Sequence, residues 1–297
     1  MALAKRTILF LATNMAIIAT ISILMRIFGL DKMMSGGHMS MLIMCAVWGM
    51  GASIVSLFMS KMMVKRSMGV QLIDENTLDE GLKEIRQTVY DLAAKAGLPK
   101  MPEVGYYQSR DVNAFATGPS KSNSLVAVST GLLEKMNKDE VEGVLGHEIA
   151  HIANGDMVTM TLLQGVINAF VMYLARVVAF GVSNASRGNS EGGFSGGGMA
   201  YFGIMMVFQY VFGMAGSMIV GAFSRHREYR ADKGGAELAG QDKMVAALQK
   251  LQQSFGSAVS KPSPVASMQI SSKSFMKLMS THPPLEKRIE ALKVGQL

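Results

Sequence analysis

Residues 8–25, 39–60, 157–175 and 192–224 of this chain contain no Asp, Glu, Lys or Arg. Each run approaches or exceeds the ~20 apolar residues with which a helix crosses a hydrocarbon core. Four transmembrane helices in two hairpins are therefore expected, with a buried core helix as the alternative reading of any one run. The composition agrees: 49% of the 297 residues are hydrophobic and 17% are charged, which is apolar for a soluble protein. The first run follows Lys5 and Arg6 as a signal peptide would. It is long, however, and no small-residue cleavage site precedes the polar turn at residues 31–38, so it is expected to be retained. Lys5, Arg6, Lys61, Lys65, Arg66, Arg225, Arg227, Arg230 and Lys233 flank one side of the expected spans, against Lys32 and Arg187 on the other. That bias places both termini and most of the polar chain in the cytoplasm. Arg26 and Arg176, near the outer ends of their spans, are expected to snorkel to the interface. The formal charge of +7 gathers at membrane ends, where the lipid bilayer and its anionic headgroups account for it, and no nucleic-acid binding is expected. With Cys45 the lone cysteine, any metal must be held by His and carboxylate.

The polar segments read as a mixed fold. Leu82, Ile85, Val89, Leu92, Ala93 and Ala96 recur at helical spacing and are closed by Gly97 and Pro99. The short runs VGYYQ, NAFATG and SLVAVST predict three strands and a small antiparallel sheet. Asn137 followed by Glu140 reads as a capping box opening a helix that runs to Asn154-Gly155. Residues 183–198 form an outer turn, and 256–274 a Ser/Pro-rich stretch between the later helices. The expected class is α+β, mainly α. Its parts are a transmembrane hairpin (1–60), a cytoplasmic polar part (61–156), a second hairpin (157–224) and a C-terminal cytoplasmic part (225–297).

The chemistry is concentrated in His147-Glu148-Ile149-Ala150-His151, an H-E-x-x-H on the capped helix. Positions i and i+4 share a helix face, so both imidazoles can reach one zinc, while Glu148 is turned toward water at the metal. The third ligand should be His or a carboxylate on the same side of the membrane. Glu228 fits, because it lies 77 residues after His151 (228 minus 151), an interval that is mostly two antiparallel spans that return the chain beside its start. His226 is a rival ligand, and Glu228 also has Arg225, Arg227 and Arg230 as ordinary ion-pair partners. Asp232, one turn beyond Glu228, can hydrogen-bond the far ring nitrogen of a ligating histidine. A three-ligand zinc leaves room for water and polarises a scissile carbonyl. Glu148 would then move the proton, and His282 is the candidate oxyanion stabiliser, with an ordinary turn histidine as the alternative. Asn113, Ala114, Phe115 and Ala116 could supply an edge strand for an extended substrate.

NAFATG, LVAVSTGLL, HEIAHIANGDMVTMTL, FSRHREYRAD and THPPLEKRIEAL, in this order, resemble the HtpX group of bacterial heat-shock metalloproteases, within the family that includes the CAAX prenyl protease Ste24. The resemblance implies a zincin-like fold and one Zn2+ per chain on His147, His151 and Glu228. It implies Glu148 as general base, His282 as the histidine of an HP motif and Asn113 as an edge-strand residue. It also implies a cytoplasm-facing site in the bacterial inner membrane that cleaves misfolded membrane proteins and unfolded polypeptides under stress. A membrane scaffold with a structural zinc is the alternative from another class. Such a site usually takes four protein ligands, often Cys, whereas three are found here beside an intact Glu148. An intramembrane-cleaving protease would carry its motif within an apolar span, but HEIAH precedes the third span among Glu140, Glu142, Asn154 and Asp156.

Overall fold

The computed structural model describes residues 37–185, 199–256 and 282–295. In chain order the elements are α1 (Gly37–Ser67), β1 (Gln71–Leu72), α2 (Glu80–Lys95), β2 (Glu103–Tyr107), β3 (Ala114–Ser120), β4 (Asn123–Ser129), α3 (Thr130–Lys135), α4 (Lys138–Asn154), α5 (Asp156–Ala185), α6 (Met199–Ala239), α7 (Gln241–Gly256) and α8 (Leu285–Val294). Among the described residues three helices are long and apolar enough to cross a membrane: Met39–Ser67, Asp156–Ser183 and Ala200–Ala239. The first expected span, residues 8–25, lies outside the described residues, as do most of the outer turn and the Ser/Pro-rich stretch.

The chain divides into two compact units, Met1–Ala52 with Gly165–Gly216 and Ser53–Gln164 with Ser217–Leu297. In the described part of the first, Met41 and Cys45 of α1 pack with Met172 of α5, and Ala175 and Ala179 pack with Tyr201 and Met205 of α6. A Cβ on Gly49 would stand 2.6 Å from the Ala169 backbone nitrogen, so glycine is what lets α1 and α5 touch. Arg176 is buried against the protein and donates from Nη1 to the Met172 carbonyl one turn earlier.

The second unit is a four-stranded sheet, order β1-β2-β4-β3, with helices packed on it. β4 is its spine, every residue after Asn123 being buried. Val126 and Val128 meet Val89 and Leu92 of α2 and Val141, Leu145, Ile149 and Ile152 of α4. Burial of each such side chain is worth about 1.5–3 kcal/mol. The expected all-antiparallel sheet of three strands is corrected here. β3 and β4 do form an antiparallel hairpin, but β2 runs parallel to β4 with Val104 opposite Val126, and the two-residue β1 adds a fourth strand. Residues 108–113 carry the chain past the position beside β2 before β3 begins, so the returning β4 fills that place and leaves β3 at the edge.

The helix that holds HEIAH is bounded as its sequence predicts. Asn137 accepts from the Glu140 amide while the Glu140 carboxylate accepts from Asn137, and Gly155 ends the helix at φ 71° in the left-handed region that favours glycine. Asp156 opens α5 immediately afterwards. Further along the chain, the basic helix expected from Arg225 is continuous with the last apolar run in the 41-residue α6.

Candidate metal centre

His147 and His151 stand one turn apart on α4, their rings edge to face with centroids 4.5 Å apart and Nε2 atoms 3.0 Å apart. Glu228 on α6 faces them, Oε2 lying 3.5 Å from His147 Nε2 and Oε1 3.4 Å from His151 Nε2. One ligand atom from each of the three side chains lies within 4.8 Å of the others. His147 and His151 are nearly buried, and Glu228 is wholly so.

The far side of each ring decides what the near side can do. His147 Nδ1 lies 3.0 Å from Asp232 Oδ1 and His151 Nδ1 2.7 Å from Asp156 Oδ2. A carboxylate accepts, so each Nδ1 donates, and in the neutral ring each Nε2 turns a lone pair inward. Both Glu228 oxygens are buried without an aligned hydrogen bond, although His282 Nδ1 stands 2.9 Å and Arg288 Nη1 3.3 Å from Oε2. Two nitrogen lone pairs and a carboxylate thus converge with too few donors, which costs free energy unless a cation joins them. Two imidazoles and one carboxylate are a donor set that suits zinc. The residues present therefore fit a metal.

The charges point the same way. Burial alone would lower the His147 pKa, yet hydrogen bonds to Asp232 and Glu228 raise it to about 9, so without metal the site attracts a proton. Burial would raise the Glu228 carboxyl, but His147, His151 and His282 hold it far below the carboxylate range. Asp232 is likewise held down, against its burial, by Arg288 and His147.

Close helix contact brings the ligands together. A Cβ on Gly235 would lie 3.0 Å from the His147 nitrogen, one on Gly146 3.0 Å from Ala239 Cβ, and one on Gly234 2.8 Å from Ala150 Cβ. The glycines let α6 lie against α4 where Glu228 and Asp232 must reach both rings. Gly143 does the same against α7, where its Cβ would meet the Lys243 carbonyl at 2.4 Å.

Of the residues singled out from the sequence, His147, His151, Glu228, Asp232 and His282 come together, His282 remaining 64% exposed in its side chain. His226 is exposed and outside the cluster. Glu148 is half-buried, and its charge acts on Tyr107 and Arg288. Ala114 and Phe115 begin the edge strand β3, which packs beside α4. Asn113 just precedes that strand, its side-chain amide donating to Tyr107 and its backbone bonded to Ser129. Sequence reasoning missed two residues. Asp156 receives His151 Nδ1 and also the Arg230 guanidinium at 2.7 Å. Arg288, 5% exposed on α8, donates from Nε and Nη2 to both oxygens of Asp232. Asp156 carried a usable signal, an acid directly after the glycine that ends the HEIAH helix. Arg288 carried none, since its partner is 56 residues away.

Residues 81–295 match peptidase family M48. A "Protease HtpX homolog" of Bacillus licheniformis is 49% identical over 97% of this chain and 98% of the relative. "Protease HtpX" of Shewanella pealeana is 50% identical over 97% and 99%, and that of Stenotrophomonas maltophilia 50% over 98% of each. The fold is similar to that of the crystal structure of S. mikatae Ste24p, with a TM-score of 0.65 at 17% identity. This alignment covers 98% of this chain and 65% of that one.

Proposed function

The chain belongs to peptidase family M48 and is a membrane-embedded metalloprotease; we propose that its metal is zinc, held by His147, His151 and Glu228, and that Glu148 is the general base of peptide hydrolysis. The observation that carries this reading is the inward turn of two Nε2 lone pairs and one carboxylate, enforced from behind by Asp156 and Asp232. When bound, the metal polarises the scissile carbonyl and acidifies water. Glu148, adjacent to a ligand on the same helix and half-buried, takes the proton of the attacking water and returns it to the leaving amine. Asp156 and Asp232 hold the two rings in the tautomer that ligates. His282, whose ring already reaches the ligand cluster, supplies a donor to the developing oxyanion. An extended substrate adds to the edge of β3 at Ala114 and Phe115, with Asn113 at the strand's start.

The substrates are misfolded membrane proteins and unfolded polypeptides, cut at exposed cytoplasmic segments as part of a stress response in the bacterial inner membrane. The clustering of Lys and Arg at one end of the spans supports a cytoplasmic site and cytoplasmic termini. Among the described residues three ligand side chains converge rather than four, and Glu148 follows His147 directly in the sequence, which favours this over a purely structural zinc. The test is cleavage of casein by the detergent-solubilised, zinc-loaded chain beside its Glu148→Gln variant, with metal content measured in both. Cleavage by the parent alone at equal zinc supports the assignment. Equal cleavage by both removes Glu148 as the base.

A further inference from the structure

A second site is formed at the end of α1, away from the metal ligands. Phe58, Lys61, Met62, Lys65 and Arg66 line a groove of about 420 Å³ with Pro119 and Asn123 of the β3–β4 turn. Their spacing, i, i+3, i+4, i+7 and i+8, is that of one helix face. The lysines are held in place rather than free: Lys61 Nζ lies 3.0 Å from Glu103 Oε1 and donates to Asn123 Oδ1 at 2.7 Å, while Lys65 Nζ pairs with Glu103 Oε2. Three cations against one carboxylate leave the groove at +2 (Lys61, Lys65 and Arg66, less Glu103). An ammonium has three donors, so this arrangement pre-positions N–H groups that Glu103 and Asn123 do not exhaust. The other half of the groove is apolar, with Phe58 68% and Met62 45% exposed.

Depth along the helix matches this division. A hydrocarbon core of about 30 Å takes about 20 helical residues, and the charge-free run of α1, residues 39–60, is about that long. Lys61, Lys65 and Arg66 follow directly as the first charges beyond that run, where a helix leaving hydrocarbon meets lipid phosphates. An apolar wall at acyl depth joined to a fixed basic cluster at phosphate depth is complementary to one kind of molecule. We propose that this groove binds an anionic diacyl phospholipid, its phosphate on Lys61, Lys65 and Arg66 and an acyl chain along Phe58 and Met62. The site is independent of the metal chemistry and would persist if the catalytic assignment failed.

The experiment is native mass spectrometry of the full detergent-solubilised chain titrated with dioleoylphosphatidylglycerol or dioleoylphosphatidylcholine, with glycerol phosphate as soluble competitor. With a net charge of +2 in the groove, the anionic lipid is expected to bind about thirtyfold more tightly. One basic residue near a membrane surface contributes about 1 kcal/mol, so Arg66→Gln should weaken phosphatidylglycerol binding about fivefold and leave phosphatidylcholine unchanged. Arg66→Lys should restore it, and Lys100→Gln, which removes the same charge from an exposed position elsewhere, should have no effect. Equal binding of both lipids overturns the proposal. So does an equal loss in Lys100→Gln, which would mean diffuse attraction, or full displacement by glycerol phosphate, which would mean a site for free phosphate esters.

Discussion

Gly234→Ala tests whether the closeness of two helices sets the metal site. The added Cβ would stand 2.8 Å from Ala150 Cβ, on the helix of the two histidines. Carbon atoms pack best at about 3.5–4.0 Å, so α6 must withdraw from α4 by up to about 1 Å, and Glu228 moves with it. Metal–ligand distances tolerate about 0.2 Å. We therefore expect zinc affinity, measured by chelator competition on the full chain, to fall at least tenfold, with an overpacking cost of about 1–3 kcal/mol in unfolding free energy. Ala150→Gly in the same chain removes the obstacle: the nearest remaining Ala150 atom, its Cα, lies 3.9 Å from the new methyl, an ordinary contact. The two changes also exchange one helical glycine for another, so their intrinsic helix costs of about 1 kcal/mol nearly cancel. The double variant should recover zinc affinity. Parent-like affinity in Gly234→Ala, or no recovery in the double variant, would refute the reasoning.

Glu228→Ala should lose bound metal while His226→Ala, altering an exposed residue, keeps it; metal analysis of the purified chains distinguishes them, and the reverse result would make His226 the ligand. Arg288→Met breaks a buried pair and leaves Asp232 with His147 but without its guanidinium, a loss of up to about 3–5 kcal/mol in unfolding free energy, whereas Arg288→Lys keeps the charge and recovers part of it; denaturant unfolding showing no loss in Arg288→Met would remove α8 from the site's support. The pH dependence of metal binding follows from His147. Its pKa rises from 6.5 to about 9 in the metal-free fold because Asp232 and Glu228 outweigh burial. The proton therefore stabilises the metal-free chain fully below pH 6.5, and that contribution is lost as pH rises to about 9. Metal must displace this proton, so apparent zinc affinity should climb by up to about tenfold per pH unit through that window and level off above it. A flat chelator-competition profile would show that no such proton is bound.

Which of these groups can be read from the sequence depends on how far each contact reaches along the chain. HEIAH and its capping residues are local: the i, i+4 repeat, the Asn137–Glu140 box and Gly155 all act within one helix, and each is found where the spacing predicts. Glu228 is remote, yet two apolar spans leave few places for the chain to return, and the 41-residue α6 then separates Glu228 and Asp232 from His226 by helical rotation alone. The sheet escapes the same treatment. Alternation identifies β2, β3 and β4, but nothing within them states that β4 pairs parallel with β2, because that follows from where residues 108–113 carry the chain.

Arg288 marks the far limit of such reading, and its position has a consequence for the fold. It sits on a short helix beyond residues 257–281, is buried, and meets Asp232, which in turn holds His147. A buried arginine is costly unless its charge is matched, so α8 is held against α6 by the same carboxylate that orients His147, the proposed metal ligand. Met244, Leu248, Ile289 and Leu292 add an apolar contact between α7 and α8 beside it. The C-terminal helix is therefore part of what fixes the orientation of His147, and on the proposed assignment metal binding and the docking of α8 favour each other through Asp232.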